Sequence, residues 1–178
     1  VRYSMLDWGP TYIREAKGGS LGQGGWAVFV IEFGGIASTI LIGWLSDKLG
    51  GRRGMVALLC MIPISLAFFG ILFNPPGNIM IDFGLLAVVG MFIYPVINLF
   101  VIMALDLSSK KAIGTAAGLI GLFGYFGRAA QAQGFGLILD RFTVIYGAAA
   151  AWNIVIWIIL ASSFICMGIL AFIWNVKP

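Results

Sequence analysis

The sequence predicts an all-α integral membrane fold built from six helices. Hydrophobic residues make up 61% of its 178 residues and charged residues only 10%, whereas a soluble domain carries about a quarter charged residues. Five apolar stretches are long enough to form the helix of about 20 residues that crosses a bilayer, and a sixth is shorter. Short connectors rich in turn-forming residues separate these stretches, which favours helices that cross the membrane in alternating directions.

The predicted helices follow one another along the whole chain. A partial first span covers residues 1–16, and the full spans cover residues 25–46, 54–73, 79–105, 112–139 and 148–175. The connectors between them have the sequences GGSLGQG, DKLGGRR, NPPGN, DLSSKK and DRFTVIYG. Because the first span is too short, we expect the chain to begin inside a helix. Residues 1–178 are then one transmembrane unit of a longer protein.

Basic residues predict the orientation, because cytoplasmic loops of membrane proteins carry an excess of Lys and Arg. Connectors on one side and the C-terminal end hold six of them, namely Lys48, Arg52, Arg53, Lys110, Lys111 and Lys177. The opposite side holds three, namely Arg14, Lys17 and Arg141. This asymmetry predicts a cytoplasmic C-terminus. The net charge of +4 therefore reports orientation and does not indicate nucleic-acid binding.

The residue types argue against catalysis and against a bound metal or cofactor. The chain has no histidine, which removes the commonest general base and metal ligand. Its two cysteines, Cys60 and Cys166, lie in separate apolar stretches, where a small buried hydrophobic side chain is expected. An intramembrane enzyme is therefore disfavoured, and no cofactor is predicted.

Three ionisable residues fall near the middle of the membrane. At about 1.5 Å per helical residue, Arg2, Glu32 and Arg128 lie roughly 20, 10 and 15 Å from the outer face, and the midplane is at about 15 Å. Tyr94 and Tyr125 fall at similar depths. A charge at this depth costs at least about 2.5–3.5 kcal/mol. Two interpretations stay open, a polar binding site halfway across the membrane and a structural ion pair such as Glu32 with Arg128.

Arg2 is the strongest candidate for a binding role. The nearest carboxylate along its own helix, Asp7, lies five residues on and about 140° around the helix, so it is not a natural local partner. Two arginines set against the single carboxylate of Glu32 leave an excess of positive charge, which suits an anion. A guanidinium group stays charged and matches phosphate oxygens with two parallel hydrogen bonds.

The fifth span is rich in glycine and carries two of the polar candidates. Tyr125, Arg128 and Gln131 recur every three residues, and they therefore form a polar stripe on roughly one face. Small residues at intervals of three or four let helices approach closely and slide, or pack in one fixed arrangement. Both alternatives stay open for five glycines at such intervals in this span, which are Gly114, Gly118, Gly121, Gly124 and Gly127.

The connector GWLSDKLGGRRG resembles the signature loop of the major facilitator superfamily. It combines an acid, a tight glycine turn and paired bases, in the residues Gly43, Asp47, Lys48, Arg52 and Arg53. Taken alone, the same residues are also consistent with an ordinary basic turn on the cytoplasmic side. In that superfamily, the acid–base contacts of this loop stabilise a closed cytoplasmic side. The resemblance therefore implies a gating loop.

A closer resemblance rests on the segments RYSMLDWGPTYIRE, WAVFVIEFGGIASTILIGWLSDK and KKAIGTAAGLIGLFGYFG. Together they are similar to the organophosphate:phosphate antiporters, and most of all to the bacterial glycerol-3-phosphate transporters. The match implies that this chain is the C-terminal half, helices seven to twelve, of a twelve-helix major facilitator fold. The N-terminal six-helix half is then absent from the chain. The two halves together are called the full-length protein below.

The resemblance implies a function and a set of site residues. Members of this family exchange an organic phosphate for inorganic phosphate by alternating access in the bacterial inner membrane. Arg2 matches the arginine that grips the phosphoryl group, and Glu32, Tyr94 and Tyr125 match positions that line or brace the site. Arg128 departs from the pattern, because the glycerol-phosphate transporters carry a small residue there. The expected partners are the two phosphates, membrane lipid and the N-terminal half, within a monomer. Some members are sugar-phosphate sensors, so a receptor of the same fold is the alternative.

Overall fold

The computed structural model describes residues 1–109 and 111–174, apart from the side chain of Ala37. This part of the chain forms six α-helices and confirms the all-α prediction. In chain order they are α1 (Arg2–Glu15), α2 (Leu21–Lys48), α3 (Arg53–Phe73), α4 (Ile79–Asp106), α5 (Ile113–Tyr146) and α6 (Ala148–Phe172). Lys110, Lys177 and the predicted end of the last span at residue 175 lie outside the described residues.

Two predicted connectors are wrong because they are largely helical. The segment GGSLGQG already contains the start of α2, where Ser20 and Gln23 form a reciprocal capping box. The segment DRFTVIYG continues α5 to Tyr146, so that Gly147 alone separates α5 from α6. Gly147 has a φ of 83°, a conformation that glycine adopts without strain.

Length and composition identify four helices, α2, α3, α4 and α6, that can cross a membrane. The sequence predicted five full spans, and α5 is the predicted span that is not among these four helices. Its 34 residues are long enough, but glycines and Arg128 dilute its apolar residues. The partial first span corresponds to α1, which has 14 residues. A chain with four such helices is a multi-pass membrane protein.

Close packing between α2 and α4 sets the geometry of the site. A Cβ atom at Gly90 of α4 would overlap the Ile31 carbonyl of α2. A Cβ atom at Gly34 of α2 would lie 2.9 Å from the Ala87 carbonyl of α4. The two backbones therefore touch, as small residues allow in membrane helices. Elsewhere in the bundle, α3 packs against α4 and α6.

The glycines of α5 pack differently from the sequence expectation. Static close packing within this chain is wrong, because a Cβ atom at any of the five would meet nothing within 4 Å, for Gly114, Gly118, Gly121, Gly124 and Gly127 alike. Close glycine contacts lie elsewhere, between α2 and α4 and also at Gly54, where a Cβ atom would lie 2.7 Å from the Ile173 carbonyl. The glycine face of α5 is open and borders a cavity.

A buried ion pair fastens α1 to α3 and α4 at the outer end. The Lys17 Nζ lies 3.5 Å from the Asp82 Oδ2, and the two side chains are only 5% and 0% exposed. The same ammonium donates hydrogen bonds to the carbonyl oxygens of Asn74 and Ile71. Lys17 had been assigned only to the outer surface. Its burial gives it a structural role, because it closes the turn after α1 over the ends of two other helices.

Breaking this pair should destabilise the full-length protein. Asp82→Ala leaves the Lys17 ammonium buried without its carboxylate, and removal of one partner of a buried pair costs about 3–5 kcal/mol. Thermal unfolding in detergent should therefore begin at a clearly lower temperature for Asp82→Ala than for the wild type. Asp140→Ala, at an exposed position of α5, is the control. Equal unfolding temperatures for both variants would contradict a stabilising role for the pair.

Candidate functional site

A large cavity opens between α1, α4, α5 and α6. Its volume is about 800 Å³. Arg2 and Tyr3 of α1 line one wall, and Tyr125, Arg128 and Gln131 of α5 line the opposite wall. The sequence predicted Arg2, Tyr125 and Arg128 as site residues and placed Gln131 on the same face of its helix. The rest of the lining is mostly apolar or glycine, with Ser4 and Ser162 as the other polar residues.

Arg2 lies between two aromatic rings and has no charged partner among the described residues. Its guanidinium carbon is 4.4 Å from the centre of the Tyr94 ring and 5.2 Å from that of Tyr3. Its Nε is buried and makes no hydrogen bond within the described part of the chain. Cation–π contacts partly replace hydration and hold the guanidinium group in place. The unused N–H groups remain available to an anion.

Tyr94 and Glu32 support Arg2 from the side away from the cavity. Neither residue lines the cavity itself. The buried Tyr94 hydroxyl lies beside Arg2 and Glu32, but it makes no hydrogen bond to any described residue. The structure thus brings Glu32 and Tyr94 together with Arg2, with Tyr94 as the direct contact.

Gly35 gives Tyr94 the space that it occupies. A Cβ atom at Gly35 would overlap the Cγ and Cδ2 atoms of the Tyr94 ring. Those atoms are close to the backbone of Tyr94, so they cannot move aside without a change of rotamer. Gly35 thus determines the position of the Tyr94 ring, and the ring determines the position of the Arg2 guanidinium group.

Arg128 pairs with Asp7, not with Glu32. Its Nε and Nη2 donate hydrogen bonds of 2.9 and 2.6 Å to the two carboxylate oxygens of Asp7. The ion pair that the sequence suggested between Glu32 and Arg128 is therefore wrong. The reason is topological, because α5 packs beside α1 while α2 and α5 make no contact in the described chain.

This pairing also corrects the charge count at the membrane centre. The sequence argument set Arg2 and Arg128 against Glu32 alone, which left an excess positive charge. Asp7 joins the group through Arg128, so two cations face two anions. The two arginines differ in their partners, since Arg128 pairs with a carboxylate, whereas Arg2 contacts two aromatic rings and makes no ion pair within the described residues.

Tyr3 links the two arginines and was missed by the sequence analysis. Its ring centre lies 5.2 Å from the Arg2 guanidinium carbon and 4.7 Å from that of Arg128. The ring also stacks on Tyr125 at 6.4 Å between ring centres. The sequence feature that could have indicated Tyr3 is its place next to Arg2. Adjacent residues on a helix point in different directions, however, so this feature alone does not place Tyr3 in the site. Only the fold shows that α5 faces it.

The predicted gating loop forms a charge cluster with the end of α4. Gly50 and Gly51, with φ of 73° and 71°, reverse the chain between α2 and α3. The Arg53 Nε then donates a 2.7 Å hydrogen bond to Asp106, and its Nη1 lies 3.6 Å from Asp47. Arg53 thereby ties the ends of α2 and α4 to the start of α3. Asp106 was not predicted, although it ends an apolar span four residues before the Lys110–Lys111 pair.

The other loop residues make fewer contacts. The Lys48 ammonium lies 3.9 Å from the ring centre of Trp44, one helical turn earlier. Arg52 precedes α3 as its N-cap and makes no side-chain capping bond. Gly43 borders a small cavity between α2 and α4, together with Asn98. The contacts that join separate helices therefore belong to Asp47 and Arg53.

Six packed helices, several of them long and apolar, around a cavity that holds two arginines define the chain as part of a polytopic membrane protein. The family model described as Major Facilitator Superfamily matches residues 1–132. The chain therefore belongs to the major facilitator superfamily.

Curated relatives narrow this assignment. The glycerol-3-phosphate transporter of Bacillus subtilis (strain 168) is 40% identical over 177 residues, which is 98% of this chain and 38% of the relative. The phosphoglycerate transporter protein of Salmonella typhimurium (strain LT2) is 34% identical over 143 residues, 79% of this chain and 30% of the relative. The membrane sensor protein UhpC of Escherichia coli (strain K12) is 31% identical over 141 residues, 79% and 32% respectively. The chain thus spans less than two fifths of the length of these relatives.

The Arg128–Asp7 pair predicts a coupling between α1 and α5. In a double-mutant cycle of Asp7→Ala and Arg128→Ala in the full-length protein, the two losses in unfolding temperature should not add, because either substitution already breaks the bidentate contact. The adjacent, exposed pair Arg14–Glu15, at 3.7 Å, is the control and should show little coupling. Strict additivity at both pairs would show that the bidentate contact does not stabilise the protein.

Proposed function

We propose that this chain is the C-terminal half of a secondary antiporter that exchanges an organic phosphate for inorganic phosphate by alternating access. Arg2 binds the phosphoryl group. The single observation that carries the proposal is the Arg2 guanidinium group, which borders the cavity between Tyr3 and Tyr94 without a charged partner in the described chain. An arginine held in this way is matched to a phosphoryl group by charge and by its planar donors.

Charge coupling explains obligatory exchange. An arginine on each half would repel its counterpart in an empty carrier, and a phosphate between them would remove the repulsion. Closure around the site would then be favourable only with a ligand bound, since a ligand shifts an equilibrium by its differential affinity for the two states. The second arginine is implied by the family resemblance and lies in the N-terminal half.

The cytoplasmic charge cluster fits the same cycle. Arg53 holds Asp47 and Asp106 at one end of the bundle, so α2, α3 and α4 move as one unit during rocking. We assign the predicted gating role to this cluster. The distribution of basic residues supports a cytoplasmic C-terminus, and the family supports a monomer in the bacterial inner membrane.

The relatives support this substrate class. Those described above are named as transporters of glycerol 3-phosphate or phosphoglycerate or as a sensor, and none is named as an enzyme. The similarity to the membrane sensor protein also favours a second candidate, a receptor that binds a sugar phosphate without moving it. Counterflow of labelled phosphate into proteoliposomes that contain the full-length protein separates the two. Saturable binding without counterflow would favour the receptor.

Arg2→Lys should abolish most of the exchange. Lysine keeps the charge but lacks the planar fork and the stacking surface of the guanidinium group. Loss of one charge-assisted hydrogen bond, about 1.5–3 kcal/mol, corresponds to a loss of affinity of at least about tenfold. The measurement is the concentration of unlabelled phosphate that halves counterflow. Arg14→Lys makes the same change at the exposed end of α1 and should leave this value as in the wild type, whereas normal exchange by Arg2→Lys would refute the assignment of Arg2.

Gly35→Ala should weaken phosphate binding although Gly35 does not border the cavity. The added methyl group displaces the Tyr94 ring and with it the Arg2 guanidinium group. We expect a loss of affinity of about tenfold, the size of one disturbed charge-assisted hydrogen bond. Gly25→Ala, on the same helix and with nothing within 4 Å of the new Cβ, should bind phosphate normally.

The mechanism behind the Gly35 effect is tested by removing the ring. In a Tyr94→Ala background the methyl group of Gly35→Ala has no ring to displace, so the second substitution should add almost nothing to the loss of affinity. Fully additive losses would show that Gly35 does not act through Tyr94.

A further inference from the structure

Arg128 presents a second set of N–H donors to the cavity that also contains Arg2. Its bond to Asp7 uses the side of the guanidinium group that carries Nε and one hydrogen of Nη2. A guanidinium group has five N–H donors in a fixed plane. Within the described residues, the Nη1 pair and the second Nη2 hydrogen make no hydrogen bond, and they form a second fork. The Arg128 side chain is 41% exposed and lines the cavity, whereas Asp7 does not line it.

Asp7 fixes the direction of that fork. Two parallel hydrogen bonds to one carboxylate leave the planar group little freedom to rotate. The Tyr3 ring, 4.7 Å from the Arg128 guanidinium carbon, restricts it further. Asp7 is thus a positioning residue, and Arg128 is oriented before any ligand arrives. A preoriented group loses less conformational entropy when a ligand binds.

The separation of the two arginines limits the size of the ligand. Both guanidinium carbons are measured from the same Tyr3 ring centre, so they are no farther apart than the sum of 5.2 and 4.7 Å. Four bonds of about 1.5 Å, the path from a phosphorus atom to a carboxylate carbon in a three-carbon acid phosphate, span about 5 Å. Hydrogen bonds of about 2.9 Å at each end let such a molecule reach both groups.

From this geometry we infer that the site takes organic phosphates that carry a carboxylate, with the phosphoryl group on Arg2 and the carboxylate on the free fork of Arg128. This inference rests on the proposed function and names its substrate class. A carboxylate is favoured over a second phosphoryl group because Asp7 already balances the charge of Arg128. A monoanion adds less repulsion against Asp7 than a dianion does.

A matched pair of ligands tests the inference. The molecules 3-phosphoglycerate and glycerol 3-phosphate have the same three-carbon phosphate and differ in one end, a carboxylate in place of a hydroxymethyl group. Each competes with labelled inorganic phosphate for the full-length protein in proteoliposomes. The wild type should bind 3-phosphoglycerate about tenfold or more tightly than glycerol 3-phosphate, as expected for one added charge-assisted contact.

Substitution of Arg128 should remove the preference. Arg128→Gln should bring the ratio of the two affinities close to one, because the amide does not attract the carboxylate. Arg128→Lys keeps a positive charge and should therefore lower the ratio of the two affinities only in part. It replaces Arg128→Gln as the test if that variant does not fold. Arg141→Gln, at an exposed position of α5, should keep the wild-type ratio.

The outcomes distinguish this inference from the proposed function. If both ligands compete but the wild type shows no preference, or if Arg128→Gln keeps the preference, the carboxylate subsite is refuted and the phosphate site stands. If neither ligand nor unlabelled phosphate competes, the proposed function fails and the inference fails with it. Arg2→Lys should weaken both ligands together, unlike Arg128→Gln.

Discussion

The arrangement of the site depends on keeping one unpaired guanidinium group in a bundle that lipid surrounds. A charge at the centre of a bilayer is costly, and Arg2 has no carboxylate partner within the described chain. Two tyrosine rings and an open cavity compensate in part for the lost hydration. Such an arrangement is stable only if the rings stay in place and an anion or water can reach the free N–H groups. A binding site for an anion needs the same two features, a fixed guanidinium group and access to its N–H donors.

The backbone contact between α2 and α4 keeps the rings in place. Gly90 lets the helices touch, and Gly35 leaves the space that the Tyr94 ring fills. On the other side of the cavity, α5 has no such contact along its glycine face. It is connected to α1 through the Arg128–Asp7 pair instead. One wall of the site is thus fixed by close backbone packing, and on the other wall Asp7 orients Arg128 toward the cavity.

The sequence predicted the parts of this account that depend on composition and spacing. Apolar stretches gave the six helices, and depth along each helix placed Arg2, Glu32 and Arg128 at one level. The ion pairs could not be predicted, because they depend on which helices are neighbours. For this reason Asp7 was not expected to pair, and Glu32 was suggested as the partner of Arg128. The burial of Lys17 was missed for the same reason. Glycine spacing indicated close packing in α5, but spacing alone does not show whether a partner helix is present.

A direct measurement of contact between phosphate and arginine tests the central claim. In the full-length protein with guanidinium ¹⁵N-labelled arginine and bound inorganic phosphate, solid-state NMR detects dipolar coupling between ³¹P and the arginine nitrogens. The account predicts strong coupling in the wild type and a clear loss of it in Arg2→Lys, with Arg14→Lys unchanged. Equal coupling in the wild type and in Arg2→Lys would contradict the claim that Arg2 holds the phosphoryl group.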